Sequence, residues 1–299
     1  MARRDIEFDA EGTTLRGWFY PSETDDGPAP VVVMAHGLSA VKEMYLDEYA
    51  AAFAAAGLAA LVFDNRTFGA SDGQPRQEID PVQQVRDYRH AITCAIGLPE
   101  VDRSQVGVWG SSYSGGHALV LGAIDRRVRA VVAQVPLVSG HENIRSLVRS
   151  DLIGGFRQMF DADREARFRG EPPAMVPAVS EDPAGPAAMP TPDSWQWFTS
   201  THEQRAPSWR NEITLRSVEM LSEYEPVSYI ARIAPTPLLM LVAQDDVLTP
   251  TELALGAFAQ AREPKKLVML PGGHFDAYVD GFEASMRPAR DWFLQHLRH

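Results

Sequence analysis

Cysteine is almost absent from this chain of 299 residues, which contains one, Cys94. A single thiol cannot form a disulfide bond within the chain. Cys94 stands in a helical pattern, which favours a buried and unreactive side chain over a reactive one. We therefore expect a fold that is stabilised by its apolar core and not by disulfides.

Positive charge is scarce as well, because 28 Lys and Arg residues face 40 Asp and Glu residues and give a formal net charge of −12. Such an excess of negative charge argues against nucleic acid and anionic membranes as partners. The chain has no apolar run as long as a membrane span, and its first residues lack the apolar core of a signal peptide. The sequence thus predicts a cytoplasmic protein with no nucleic-acid or membrane partner.

Motifs that hold phosphates or metals are missing from the sequence. There is no Gly-x-Gly-x-x-Gly, no P-loop and no cluster of Cys and His with metal-ligand spacing, so we predict no cofactor and no metal. The composition, with 45% hydrophobic and 23% charged residues, is ordinary for a globular protein. The length suits one large α/β domain that carries an insertion.

Short apolar runs typical of buried strands alternate with helical patterns along most of the chain. This alternation predicts an α/β fold with a mostly parallel sheet of about eight strands and helices on both faces. Two segments that alternate in polarity are predicted as edge strands, at 5–8 and 15–20. The predicted buried strands are 31–35, 59–63, 106–109, 128–135, 237–242 and 266–270, and the clearest helices are 44–56, 81–96 and 251–262.

The alternation stops between residues 137 and 226. This segment combines two helical stretches, 141–160 and 213–224, with a loop at 172–192 and a cluster of aromatic residues. We predict a core formed by 1–136 and 227–299, and a helical lid inserted after the sixth strand. Trp195, Trp197 and Trp209 of the lid, together with Tyr278, are predicted to line an apolar substrate pocket. The alternative is that the lid aromatics form only the insertion's own small core.

A serine stands at a tight turn between a predicted strand and a predicted helix, in residues 106–116. Small residues on both sides of Ser112, namely Gly110, Ser114 and Gly115, allow the strand and the helix to approach closely. A serine at such a corner projects its hydroxyl away from the sheet, as a nucleophile requires. Ser114, two residues further on, is the alternative nucleophile.

An acid and a histidine follow two later strands. A serine hydroxyl needs a general base to attack a carbonyl carbon, and an imidazole oriented by a carboxylate is suited to that task. Asp246 and His274 are the candidates, and His274 follows two glycines that let its ring approach the site. Asp245 remains the alternative acid.

Five motifs of this chain occur in the order in which α/β-hydrolases carry them. They are His-Gly at 36–37, Asp-x-Arg-x-x-Gly-x-Ser at 64–71, the serine turn at 110–116, Asp-x-x-x-Pro at 246–250 and Gly-Gly-His-Phe-Asp at 272–276. The chain therefore resembles an α/β-hydrolase over nearly its whole length. It is most similar to dienelactone-hydrolase-like esterases and to acylaminoacyl- or dipeptidyl-peptidase catalytic domains. It departs from the pattern at Ser114, where the family usually has glycine.

The resemblance implies a role for each matched residue. Ser112 becomes the nucleophile, His274 the general base and Asp246 the acid that orients it. The backbone N–H groups of Leu38 and Tyr113 become the donors that stabilise the oxyanion.

The same resemblance gives supporting roles to four polar residues. His36 is expected to pack beneath the oxyanion turn. Asp64, Arg66 and Ser71 are expected to hold the turn that follows their strand.

The sequence thus predicts a serine hydrolase that cleaves an ester or thioester of a moderately apolar acyl compound through an acyl-enzyme. An amidase or peptidase with the same triad is one alternative, and an acyltransferase of natural-product biosynthesis is another. A non-catalytic binding module is disfavoured because serine, acid and histidine are all present. The expected partner is a small-molecule acyl substrate, and the sequence leaves open whether the protein forms a homodimer.

Overall fold

The computed structural model describes residues 3–24, 27–182 and 185–298. The strands are β1 (Arg4–Ala10), β2 (Thr13–Tyr20), β3 (Ala29–Ala35), β4 (Ala59–Phe63), β5 (Val101–Ser111), β6 (Val128–Gln134), β7 (Met175–Val176), β8 (Ile213–Thr214), β9 (Leu238–Ala243) and β10 (Lys265–Leu270). The α-helices are α1 (Leu46–Ala55), α2 (Pro81–Ala95), α3 (Tyr113–Ile124), α4 (Gly140–Leu147), α5 (Ile153–Phe168), α6 (Pro192–Gln204), α7 (Leu215–Ser222), α8 (Val227–Ile230), α9 (Thr251–Gln260) and α10 (Phe282–Leu297).

Eight of these strands form one sheet in the order β1-β2-β4-β3-β5-β6-β9-β10. The six strands from β4 to β10 pair in parallel, whereas β1 and β2 form an antiparallel hairpin at one side. The predicted α/β fold with a mostly parallel sheet is therefore confirmed. The prediction of two edge strands was wrong for β2, which lies between β1 and β4. Gly17 permits that pairing, because a side chain there would begin 2.1 Å from the carbonyl oxygen of Val62.

Helices pack on both faces of the sheet. α1 and α10 contact each other and cover one face, while α2, α3 and α8 lie together on the other. The residues of β3 are buried throughout, as expected of a central parallel strand. Cys94 on α2 is half-buried, and burial raises the pKa of its thiol. Within the described ranges, no helix is both long enough and apolar enough to cross a membrane.

In its described residues, the segment between β6 and α8 contains four helices and the small antiparallel pair β7–β8. The single helix expected over 141–160 is in fact two, α4 and α5, because the chain becomes extended at Val148. The helix expected over 213–224 begins only at Leu215, after strand β8. Arg205 ties this segment to α1 through ion pairs with Asp47 and Glu48.

Candidate active site

The sharp turn between β5 and α3 places Ser112 at the carboxyl edge of the sheet. Ser112 has φ 58° and ψ −120°, a conformation that L-residues rarely adopt and that costs roughly 1–3 kcal/mol. The turn needs glycine at position 110, because a side chain there would begin 1.9 Å from the carbonyl oxygen of Ser114. The surrounding packing therefore holds Ser112 in a strained geometry that exposes its hydroxyl to the site.

Ser112, His274 and Asp246 form a hydrogen-bonded chain. The Oγ of Ser112 lies 2.9 Å from Nε2 of His274, and Nδ1 of His274 lies 2.8 Å from Oδ2 of Asp246. Because the carboxylate can only accept, we assign the proton to Nδ1, which leaves Nε2 free to accept from the serine hydroxyl. The backbone N–H groups of Leu248 and Thr249 donate to Oδ1 of Asp246 at 3.0 and 2.8 Å and fix that carboxylate.

The two alternative residues lie outside this chain of hydrogen bonds. Ser114 is fully buried on α3, and its hydroxyl donates to the carbonyl oxygen of His36. Asp245 is exposed, while Asp246 beside it is buried against His274. The geometry therefore favours Ser112 as nucleophile and Asp246 as the orienting acid.

The backbone N–H groups of Leu38 and Tyr113 belong to the two turns that meet at Ser112. Tyr113 is the first residue of α3, where the helix dipole favours negative charge. Leu38 follows Gly37, and a side chain at Gly37 would begin 3.0 Å from Cβ of Ser112, so this turn comes close to Ser112. In the described part of the chain, neither N–H donates to a backbone carbonyl outside helices and strands. Both are thus available to an oxyanion.

His36 lies beneath the turn that carries Leu38. Its Nε2 accepts from the backbone N–H of Asn65 at 3.0 Å, so Nδ1 carries the proton and donates to the carbonyl oxygen of Gly37 at 2.9 Å. Burial lowers the pKa of His36, which keeps the ring neutral. The ring thus links the turn after β3 to the turn after β4.

The turn after β4 is held by a second set of polar contacts. Asp64 accepts from the backbone N–H of Lys42 at 2.8 Å and from its Nζ at 2.6 Å, while the hydroxyl of Ser71 donates to the Asp64 carbonyl at 2.7 Å. Arg66 forms a bidentate ion pair with the buried Asp87 of α2. These residues support the loops of the site and do not contact Ser112.

Thr249 is a residue of the site that the sequence reasoning missed. Its Oγ1 lies 2.9 Å from Oδ2 of Asp246 and 3.1 Å from Nδ1 of His274. It also lies 3.2 Å from the carbonyl oxygen of Val135, a residue with φ 37° at the end of β6. The available signal was its position three residues after Asp246, where a threonine hydroxyl can reach back to that carboxylate.

Two narrow cavities meet at Ser112. The first, which we term the aromatic lobe, has walls formed by Met44, Trp197, Phe198, Phe275 and Tyr278 and also includes His274. The second, the α4 lobe, has walls formed by Leu137, Asn143, Leu147, Ala188 and Leu221. Both are bordered by Leu38, Met189 and Leu248. Each has a volume of about 20 Å³, close to the minimum that holds one water molecule.

Comparison with known proteins places this architecture in a family. Residues 17–276 match the family described as X-Pro dipeptidyl-peptidase (S15 family). The chain belongs to this family of α/β-hydrolases. The resemblance drawn from the five sequence motifs is thereby confirmed.

Relatives of this hydrolase carry several different names. A "Thiohydrolase" of Eupenicillium brefeldianum is 32% identical over 92% of this chain and 88% of its own length. A "Polyketide transferase grgF" of Penicillium sp is 31% identical over 99% of this chain and 98% of its own. The solved structure described as DcsB in complex with its substrate analogue has a TM-score of 0.89 at 27% identity, and covers 100% of both chains.

The four aromatic residues predicted to line the pocket of the hydrolase divide into two pairs. Trp197 and Tyr278 line the aromatic lobe, where Trp197 stacks on Phe275 at 4.9 Å between ring centroids. Trp209 and Trp195 do not line either lobe. Trp209 stacks on Phe198, with 5.3 Å between ring centroids. Trp195 is only partly buried, because the buried face of α6 is formed by Ser194, Trp197, Phe198 and Thr201.

The walls of both lobes in the hydrolase are uncharged. Among the described residues that line them, there is no Asp, Glu, Lys or Arg. Ser112 is 8% exposed and His274 is 1% exposed, so the hydrogen-bonded chain is shielded from water. Shielding strengthens each electrostatic interaction at the site. The same described ranges contain no cluster of side chains that could hold a metal ion.

Proposed function

We propose that this hydrolase cleaves an ester or thioester of a moderately apolar acyl compound through an acyl-enzyme on Ser112. The observation that carries the proposal is the chain of hydrogen bonds from Ser112 through His274 to Asp246, with distances of 2.9 and 2.8 Å. Nucleophile and base lie within hydrogen-bonding distance, and a third group orients the base, as covalent catalysis requires.

The proposed reaction has two steps. In the first, Nε2 of His274 takes the hydroxyl proton while Oγ of Ser112 bonds to the acyl carbon. The resulting oxyanion accepts hydrogen bonds from the backbone N–H groups of Leu38 and Tyr113. The leaving alcohol or thiol then takes the proton from His274, and the acyl group stays on Ser112. In the second step, water gives a proton to His274, attacks the acyl carbon, and releases the acid as Ser112 regains its proton. Asp246 stabilises the imidazolium in both steps.

The uncharged walls of the two lobes favour an ester or thioester over a dipeptide substrate. An enzyme that releases dipeptides must bind the α-ammonium group of the peptide, and a buried ammonium requires a partner of opposite charge. The described walls provide no carboxylate for it, and the carboxylate of Asp246 is already bonded to His274. We therefore rank amidase or peptidase activity below esterase and thioesterase activity.

Acyl transfer to an acceptor other than water is the second candidate function. The observation that favours it is the closure of the site, since Ser112 and His274 are nearly inaccessible to bulk water. An acyl-enzyme that excludes water survives long enough to react with a bound alcohol, thiol or amine. A relative that is 31% identical carries the name polyketide transferase, which is compatible with this reaction.

The test measures hydrolysis of p-nitrophenyl esters with two to twelve carbons, the corresponding acyl thioesters and an X-Pro anilide. We expect the wild type to cleave esters and thioesters, and Ser112→Ala to lose at least about 10³-fold in kcat/KM. Ser114→Ala is the matched control, because it removes a neighbouring hydroxyl that bonds to His36 and not to His274. It should keep most of the activity.

Three outcomes separate the candidates. Activity that persists in Ser112→Ala would refute Ser112 as the nucleophile. Cleavage of the anilide at a rate above that of the esters would favour the peptidase. If a fluorophosphonate labels Ser112 but no ester or thioester is hydrolysed, acyl transfer is favoured. Acyl transfer is then tested with a series of acceptor alcohols and amines, in which it produces a new ester or amide.

A further inference from the structure

Asn143 is a polar side chain in the mostly apolar wall of the α4 lobe, which also includes the hydroxyl-bearing Ser112, Tyr113 and Thr249. Asn143 is 5% exposed, and its neighbours in that wall are Leu137, Leu147, Ala188 and Leu221. Among the residues that the structure describes, its side-chain amide has no hydrogen-bond partner. Most amides in apolar walls bond to another protein group, so an amide that keeps its hydrogen-bonding capacity free beside a lobe calls for an explanation.

The position of Asn143 is fixed by the first turn of α4. The hydroxyl of Ser139 accepts from the backbone N–H of Glu142 at 3.1 Å, and the N–H of Gly140 donates to the carbonyl oxygen of Tyr224 at 2.7 Å. Gly140 also lies against α7, since a side chain there would begin 1.7 Å from the carbonyl oxygen of Leu221. These contacts hold α4 against α7 and keep Asn143 in the lobe.

The location of His274 indicates which lobe receives which part of a substrate. The general acid must lie within hydrogen-bonding reach of the leaving atom. His274 lines the aromatic lobe and is not part of the α4 lobe. The leaving group therefore lies in the aromatic lobe, and the acyl chain extends into the α4 lobe towards Asn143.

We propose that Asn143 selects acyl chains that carry an oxygen substituent, a hydroxyl or a ketone, along their length. This inference rests on the proposed acyl-enzyme function. A carboxamide offers an N–H donor and a carbonyl acceptor, so it can bond to either substituent. An unsubstituted chain would fill the lobe and leave the amide unpaired, and a site built to bond a substrate hydroxyl discriminates against the analogue that lacks it.

Met189 lies at the boundary between the two lobes, together with Leu38, Ser112 and Leu248. It borders both cavities and is 4% exposed. Methionine is unbranched and has three rotatable side-chain bonds, so it adapts to different neighbours more readily than leucine does. The narrow α4 lobe is thus compatible with an acyl chain that displaces the Met189 side chain.

The experiment compares p-nitrophenyl octanoate with its 3-, 5- and 7-hydroxy derivatives in the wild type and in Asn143→Leu, whose side chain keeps the branched shape and the number of heavy atoms but has no hydrogen-bonding group. For the best hydroxyl position, we expect the wild type to favour the hydroxylated ester by about tenfold in kcat/KM, the discrimination of one well-placed hydrogen bond. In Asn143→Leu the ratio should fall to about 1, through slower cleavage of the hydroxylated ester. Ile144→Val is the control, because Ile144 is on the same helix but lines a separate outer groove.

The failure of this inference is distinguishable from that of the proposed function. If wild type and Asn143→Leu show the same ratio at every hydroxyl position while Ser112→Ala is inactive, Asn143 does not select the chain and the serine mechanism stands. A second measurement needs no turnover. Octanamide and its hydroxylated forms are compared by how well each protects Ser112 from labelling by a fluorophosphonate, which gives the preference for the hydroxylated chain. If wild type and Asn143→Leu show the same preference for hydroxylated octanamide in this measurement, the inference is also overturned. If no ester is cleaved and Ser112 is not labelled, the proposed function itself fails.

Discussion

The buried His117 should make the stability of this hydrolase depend strongly on pH. It lies on α3, behind the serine turn, with Nδ1 at 2.8 Å from the hydroxyl of Tyr224 and Nε2 at 3.0 Å from Oε1 of Gln84. The amide oxygen can only accept, so Nε2 carries the proton and Nδ1 accepts from the tyrosine. Burial lowers the pKa of His117 from 6.5 to about 3.

The sign and size of the effect follow from that pKa. The unfolded chain binds a proton at this histidine below about pH 6.5, whereas the folded protein does not bind one until about pH 3. The contribution of His117 to the free energy of unfolding is therefore fully present above pH 6.5 and is lost as the pH falls towards 3. Between pH 7.5 and pH 5.0, the loss amounts to about 2 kcal/mol.

Urea unfolding of the wild type and of His117→Gln at pH 7.5, 6.5, 5.5 and 5.0 measures this loss. We expect the variant to be less stable at pH 7.5, but to lose about 2 kcal/mol less than the wild type by pH 5.0. His36 is also buried with a lowered pKa, but it is present in both proteins and cancels in the difference. Equal pH dependence in the two proteins would refute the reasoning, as would an NMR titration of folded wild-type His117 between pH 7.5 and 5.0.

Two further predictions concern Thr249 and Met189. Thr249→Val removes the hydroxyl donor to Asp246, so kcat/KM should fall about tenfold, whereas Thr249→Ser should restore it. Unchanged kcat/KM in Thr249→Val would contradict this. Met189→Ala should widen the space between the lobes, so kcat/KM for twelve-carbon esters should rise several-fold relative to that for four-carbon esters. Because Met189 is buried, the same change should lower the free energy of unfolding by roughly 2–5 kcal/mol. If the free energy of unfolding falls but the dependence of kcat/KM on ester chain length is unaltered, Met189 only fills space in the core.

Much of the fold could be predicted because its strands carry local signals. The run 31–35 is wholly apolar, and the structure buries all of β3, since a central parallel strand is covered on both faces. The serine turn was readable for a similar reason, because glycine and serine at fixed offsets from Ser112 are required by the close contact of strand and helix. The spatial meeting of Asp246 and His274 followed from the rule that the carboxyl ends of parallel strands share one edge.

The walls of the site were harder to predict, because they depend on how the inserted segment packs. Asn143 and Thr249 are ordinary polar residues in the sequence, and only the packing of α4 on α7 brings Asn143 into the α4 lobe. For the tryptophans a usable signal existed. The buried face of α6 follows the helical spacing i, i+3, i+4, i+7 from Ser194, which includes Trp197 and leaves out Trp195. Trp209 lies in a loop, where no such periodicity applies.

The residues of the proposed triad are widely separated along the chain, and this has a consequence for biosynthesis. Ser112 meets its proposed base, His274, across 162 positions of sequence, and β9 and β10 must both join the sheet before Asp246 and His274 reach it. A nascent chain that has folded only as far as α3 thus carries a serine with no base and no orienting acid. With the proposed mechanism, reactivity towards acyl donors arises only when the last strand is in place, so we expect incomplete or truncated chains not to be acylated by the substrates of the finished enzyme.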